Sequence, residues 1–462
     1  MYNEYEEQNK SLNKEAIMKK LSAMLLILCS VLILFSSCGG GEKEAAHGSD
    51  LDANDQSQTG GNKEDVDIGQ NTDDAEEQGC QHVFENGVCA NCGIELSEGL
   101  DFTLNEDGES YGVSGIGSCT DTEIVIPDTY EGKPVTAILE RAFWASETIT
   151  GVEIPPSVIY IGYNVFSNCF KLAKVNISNR VKHIEGSAFS NCTALSKIYI
   201  PNSVESLGDE VFEGCSSLTR IVIPDSVKVI GISAFARCDS LTEVVLPQGL
   251  ESIENSLFYE CLSLKTVNIP DTVKTLKGAA FLGCSSLSEI VLPQSVVQIG
   301  INVFAGCTSL REIVIPKGVQ KLAEGAFSGC ETVKLIMEEG NANYYVEGNC
   351  VIERDTKTLI GAGKDCVIPA DVKRIGEYAF AFNQIMTEFF VPDGIAEIGR
   401  FAFRECKSLQ TVYIPDSVVR ISERAFEDCE SLTYFYCESD NEPAGWDGGW
   451  YYRAEVVWNY KG

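Results

Sequence analysis

At 462 residues the chain is long enough for several ordinary domains, so length alone does not decide between many small cores and one long one. Its 35 basic and 68 acidic residues leave a formal net charge of −33, which excludes the broad basic face that neutralising nucleic-acid phosphates requires. Three histidines in total, His47, His82 and His183, supply little material for acid–base chemistry near neutral pH, and no enzyme activity is expected.

Residues 1–17 are mostly polar, and Met18-Lys19-Lys20 then opens an apolar run from Leu21 to Phe35 that ends at Ser36-Ser37-Cys38-Gly39. A positive start, a short apolar stretch and small residues at a cut site describe a secretory signal over 1–38, with its true start at Met18. The run is about 15 residues, short of the roughly 20 that span a bilayer. Cys38 resembles the cysteine of a bacterial lipobox, where a peptidase cuts just before it and a diacylglycerol joins its sulfur, although Phe35 stands where leucine is usual. Cleavage without lipid and an uncleaved anchor are the alternatives. Residues 39–79 hold twelve Asp or Glu, two lysines and almost no large apolar residue, the composition of a disordered acidic tether.

Between Cys80 and Cys92 the chain reads Cys-Gln-His-Val-Phe-Glu-Asn-Gly-Val-Cys-Ala-Asn-Cys. Cys80, His82, Cys89 and Cys92 form a donor set able to close a tetrahedron around a structural zinc at a hairpin tip, with the Asn-Gly turn between the pairs. A disulfide between two of the thiols and a reduced, metal-free loop remain open. Residues 80–95 resemble the short zinc-ribbon-like pieces of exported bacterial repeat proteins.

Phenylalanine then recurs every 23 residues at Phe143, Phe166, Phe189, Phe212, Phe235, Phe258, Phe281, Phe304 and Phe327, and again at Phe380, Phe403 and Phe426. The longer step from Phe327 to Phe380 is one repeat plus an insertion. Cysteine follows three residues after most of them, at Cys169, Cys192, Cys215, Cys238, Cys261, Cys284, Cys307, Cys330, Cys406 and Cys429. Equivalent positions of stacked coils line up, so these are expected as a ladder of free, buried thiols. In the unit from Cys215 to Cys238, Ile221 and Ile223 alternate with Arg220 and Val222 as a half-buried strand does. Pro224 ends the strand, Asp225-Ser226 turns, Val227 and Ile230 face inward again, and Gly231 permits a tight bend before a short helical turn carrying Ala234 and Phe235. One such coil cannot offset its ordering entropy, roughly 1.5 kcal/mol per residue, so the coils must stack.

The strings Ile-Pro-Asp-Ser-Val, Ala-Phe-x-x-Cys-x-Ser-Leu and Ile-Gly resemble the BspA-like leucine-rich repeats of bacterial surface proteins, over residues 100–462. The resemblance implies a β-rich solenoid with an N-terminal cap over 96–142, repeats over 143–330 and 367–436, a hairpin-like insertion over 331–366 and a C-terminal cap over 437–462. Three of four tryptophans fall in that last segment and are expected to seal the final coil rather than form a sugar platform. Cys350 and Cys366 are candidates to pair, though not an expected bond.

If the isoleucines point inward, the residue two before each proline points out. That column reads Glu153, Asn176, Tyr199, Val222, Val245, Asn268, Val291 and Val314, then Phe390 and Tyr413, and its apolar stripe marks a candidate binding face. Strand propensity alone is the competing explanation. A neighbouring column passes from Lys174, Lys197 and Arg220 to Glu243, Glu289, Glu312 and Glu388, so charge changes sign along the rod. The resemblance implies a lipid-anchored protein on the extracellular face of the envelope that binds extracellular proteins or glycans, touching membrane through its anchor only. A passive spacer is the alternative. A metal-dependent hydrolase at Cys80 to Cys92 is disfavoured, because four protein donors leave zinc no open position. Self-association through the face is left open.

Overall fold

Where two isoleucines flank a single outward residue, a strand buries the pair and exposes the middle position. The computed structural model, which describes residues 83–451 and 453–461, follows this pattern: Ile221 and Ile223 are buried and Val222 is exposed. Equivalent strands lie parallel one coil apart, Arg220–Val222 beside Glu243–Val245 and Thr266–Asn268 beside Glu289–Val291. This face begins with Glu123–Val125, Gly151–Glu153 and Lys174–Asn176, and its regular pairing lapses at 197–199. It ends with Glu388–Phe390, Thr411–Ile414, Tyr434–Cys437 and Glu455–Val457. A second ladder of two-residue strands, Tyr160–Ile161, His183–Ile184, Ser206–Leu207 and Val229–Ile230, closes the opposite side and continues in later coils. The result is a β-solenoid with a 23-residue period.

The segment carrying the phenylalanine differs from expectation. No helix forms among the described residues, and residues 232–237 are consecutive tight turns. Ser233 and Arg237 take left-handed backbone, with φ of 55° and 58°. These two left-handed residues, four apart at either end of the turn segment, let its amides face the next coil. The N–H groups of Ser233, Phe235 and Arg237 accordingly donate to the carbonyl oxygens of Asn255, Leu257 and Tyr259 in the next coil, at 3.0, 3.0 and 2.7 Å. A helix would satisfy such donors within its own segment and leave the coils unlinked. Two left-handed residues cost about 1–2 kcal/mol each, and three hydrogen bonds contribute about 0.5–1.5 kcal/mol each, so the two roughly cancel. Burial of the ring, about 1.5–3 kcal/mol, then decides.

The rings from Phe143 to Phe327 stack in one column, centroids 5.3 to 5.9 Å apart and planes within 20° of parallel. Beside them runs the sulfur ladder. Each thiol donates to the carbonyl oxygen of the phenylalanine one coil back, as Cys238 does to Phe212 at 3.2 Å, and the ladder cysteines form no disulfide.

The insertion is a three-stranded antiparallel meander, Tyr344–Glu347, Cys350–Glu353 and Thr358–Ala362. Its last strand pairs in parallel with Arg374–Ile375, taking the place of a short strand in the second ladder. Alternation gives it two buried faces: Val351 and Ile360 join the core that precedes it, while Cys350, Ile352 and Leu359 join the core that follows. Gly361 lets it pass against the Phe327 ring, since a Cβ there would lie 3.1 Å from Cδ2. Cys350 and Cys366 are bonded, with Cα atoms 5.5 Å apart.

At the N-terminal end, Asp101–Leu104 and Tyr111–Gly115 form a hairpin whose second strand runs parallel to Lys133–Ile138. At the other end Trp450 caps the column: its carbonyl oxygen accepts from Phe426 N–H at 3.2 Å, as that of the residue before the next phenylalanine does in earlier coils, and its ring meets Phe426 edge-on. Trp446 and Trp450 are buried, with no face open to a sugar.

Candidate binding face

The outward column is a real surface feature. Tyr199 is 51% exposed, Val291 69% and Phe390 62%, and Val222 and Val314 are also exposed. Val245 and Tyr413 are half-buried. Large apolar side chains in a row on an open sheet, broken here only by Asn268 between Val245 and Val291, leave apolar surface that a solvated monomer usually avoids. Three members escaped the sequence reading, the first being half-buried Ile336, which pairs in register with Val314. Val367, 70% exposed, stands two residues before Pro369, and Tyr436 stands 23 after Tyr413 without a proline to mark it.

The charged column is less graded than its residue types suggest. Lys174 Nζ lies 3.0 Å from Glu153 Oε1, and Arg220 Nε lies 3.1 Å from Glu243 Oε1. The hydrogen bond to Glu153 raises the Lys174 pKa above its ordinary value. Lys197 is exposed on the same face. The basic end therefore presents cations partly matched by carboxylates of adjacent coils, whereas Glu289 and Glu388 make no ion pair among the described residues. Glu312 is held by Lys334 at 3.1 Å.

Toward the C-terminal end the stripe becomes aromatic. Phe390 and Tyr413 stack at 4.1 Å with planes 1° apart, Tyr413 and Tyr436 at 5.2 Å and 16°. Tyr460 leans on Tyr436 at 4.7 Å, and Tyr434 flanks the row. Burial raises the Tyr413 phenol above its ordinary value, with Tyr460 and the Glu388 carboxylate adding to it. Next to Phe390, where the meander meets the resumed repeats, a cleft of about 330 Å³ opens between Ala362, Cys366, Ile385, Met386 and Phe389.

Of the expected metal donors, Cys89 is buried at the end of a hairpin, Phe84–Glu85 with Val88–Cys89, and Cys92 is exposed in the following turn. Gly93 N–H donates to the Cys89 carbonyl oxygen at 2.8 Å, closing that turn. Cys80 and His82 lie outside the described residues, as do the expected signal, Cys38 and the tether.

Residues 117–239, 205–334 and 362–445 match the BspA type leucine rich repeat region, in six copies. The fold is similar to a leucine-rich repeat protein from Bacteroides ovatus, 27% identical over 79% of this chain and 99% of that one, with a TM-score of 0.53. It is also similar to a leucine rich cell surface protein from Faecalibacterium prausnitzii, 26% identical over 78% and 94% of the two chains, with a TM-score of 0.50. No curated protein matches. The matched segments span more than half of the sequence and coincide with the stacked coils, their phenylalanine column and their sulfur ladder, so the chain belongs to the BspA type leucine-rich repeat family.

Proposed function

We propose that the protein is an exported surface receptor or adhesin that captures extracellular macromolecules, proteins foremost, on its exposed strand face. The single observation that carries this reading is the apolar stripe through Val222, Val291, Val314 and Phe390, which lies in the open on a rigid, repeated scaffold. A similar protein from Faecalibacterium prausnitzii is a leucine rich cell surface protein, which favours the same address here. The Cys350–Cys366 bond suits an oxidising exterior. In this reading residues 1–38 export the chain, Cys38 carries the lipid and residues 39–79 hold the coils away from the membrane. Zinc on Cys80, His82, Cys89 and Cys92 would pin the hairpin at the base of the rod, in a structural role, and metal analysis of the full chain beside Cys92→Ser tests it.

The functional test is binding of the full chain to immobilised extracellular matrix proteins and to cell-wall polysaccharides. The combined variant Val222→Glu/Val291→Glu should weaken capture about tenfold or more while its melting temperature stays unchanged. Unaltered capture by that variant removes the stripe from the mechanism. Capture of nothing by the parent chain supports a passive spacer instead.

A further inference from the structure

The stripe is not uniform, and its aromatic end differs from the rest in shape and in charge. From Val222 to Val314 it is a row of valines broken by Asn268, but beside Phe390 it borders the cleft walled by Ile385, Met386 and Phe389. Ile385 is 64% exposed although it is large and apolar. A cavity of about 330 Å³ is at the small end of ligand sites, room for one or two bulky side chains rather than a cofactor. Around it stand Glu331, Asp365 and Glu388 against a single cation, Lys364. Glu388 belongs to both features, lining the cleft and starting the strand that ends at Phe390.

We propose that this cleft and the adjoining Phe390–Tyr413–Tyr436 row form one docking surface for an extended basic polypeptide segment of a partner protein, with a bulky apolar side chain in the cleft and its lysines or arginines against Glu388 and its acidic neighbours. The inference rests on the strand face being a binding face at all. Charge complementarity selects the occupant: the local carboxylate excess, within a chain of net charge −33, attracts a cationic partner and repels an acidic one. Ring geometry disfavours a glycan. Phe390 and Tyr413 lie face to face, so each covers the other's face and the row offers mainly ring edges, whereas sugars stack on open faces. Edges and an apolar cleft suit aliphatic and aromatic side chains.

The test uses the full chain and three probes: a short synthetic peptide alternating Lys or Arg with Leu or Phe, the same peptide with every Lys and Arg replaced by Gln, and a neutral cell-wall polysaccharide. The basic peptide should bind at least about tenfold more tightly than its Gln counterpart, with the difference shrinking at high salt. Glu388→Lys and Phe390→Ser, both at exposed positions, should each weaken it about tenfold at unchanged melting temperature. Equal affinity for the two peptides overturns the proposal, as do variants that bind like the parent, or a polysaccharide whose binding depends on Phe390. Should Val222→Glu/Val291→Glu lose extracellular protein while Glu388→Lys and Phe390→Ser lose nothing, this docking site falls and the broader reading stands. Should basic-peptide binding vanish with Glu388→Lys while no extracellular protein is ever captured, the site stands and the adhesin reading falls.

Discussion

The Cys215 thiol donates a hydrogen bond to the Phe189 carbonyl oxygen, 3.2 Å away, so each rung hangs its sulfur on the backbone of the coil before it. The same relation recurs from Cys169 to Cys429. It explains why a thiol suits the position. A small, weakly polar group fits beside the stacked rings, and its proton adds a second bond to a carbonyl that already accepts from its own turn, as Phe189 does from Cys192 N–H at 3.1 Å.

Those thiols make stability sensitive to alkali. Burial pushes Cys169 up to about 11 and Cys215, Cys284 and Cys330 up to about 12. An unfolded thiol titrates near 8.5, so above that pH the folded chain holds protons that the unfolded chain has released. Stability is therefore full below about pH 8.5 and falls as pH rises toward the folded values, by about 1.4 kcal/mol per pH unit for each such thiol. Melting temperature measured across this range should drop steeply, and Cys215→Ala should make the drop shallower. A profile identical in parent and variant would count against the account.

A second prediction concerns the ring column. Phe235 is fully buried between Phe212 and Phe258, with centroids 5.7 and 5.8 Å away. Truncating it to alanine should cost about 3–5 kcal/mol in chemical denaturation. Because each coil touches only its neighbours, the lesion sits in the middle of a one-dimensional array. Unfolding should then separate into two transitions, which a probe in each half would resolve; one undivided transition contradicts nearest-neighbour stacking.

Much of this architecture was legible in the sequence because periodicity is a long-range signal. The step of 23 residues from Phe143 to Phe327 announces the coil, and alternation at Ile221-Val222-Ile223 places the outward residue. The phenylalanine turn is not legible in the unit from Cys215 to Cys238, where Ser233 and Arg237 are neither glycine nor asparagine; its mark lies at the equivalent positions of other coils, Asn168, Asn191, Gly214, Gly283, Gly306 and Gly329, all with positive φ. Its conformation is imposed by hydrogen bonds to the next coil, a tertiary cause that no local window contains. The candidate site was readable in its valines and not in its charges, since pairing such as Lys174 with Glu153 depends on register between coils. Tyr436 was missed for want of a proline, and the cleft because it exists only where the meander abuts Ile385 and Met386.

Gly231 gives a third test, and a different reason for being glycine than a tight bend. Its φ is not left-handed, yet a Cβ there would lie 2.3 Å from the Asp209 nitrogen and 2.4 Å from the Gly208 carbonyl carbon of the previous coil. The same approach recurs at Gly208, Gly300 and Gly399, whereas Glu254 holds the equivalent position one coil after Gly231. Gly231→Ala should destabilise by about 1–3 kcal/mol through forced separation of two backbones. Gly249→Ala, where the nearest atom is the flexible Lys228 Nζ at 3.7 Å, should stay within about 0.5 kcal/mol. Equal effects at the two sites would refute close approach as the cause.

The last prediction follows from the position of the Cys350–Cys366 bond. It closes a loop of sequence separation 16 between the central strand of the meander and the chain leading to the next coil. Closing a loop of that size restricts the unfolded chain by about 3 kcal/mol, so reduction should destabilise by that order. The effect should be confined, because coils remote from the meander keep their own neighbours. Leu359, Val372 and Ile375 belong to the same core as Cys350, whereas Phe166 through Phe304 belong to the core on the meander's other face. Native-state hydrogen exchange in reductant, or in Cys350→Ala/Cys366→Ala, should therefore speed up from Cys350 through Ile375 and leave the amides of Phe166 to Phe281 unchanged. Acceleration spread evenly along the rod would mean that the cores communicate through the meander, and that the insertion is a mechanical joint rather than a boundary.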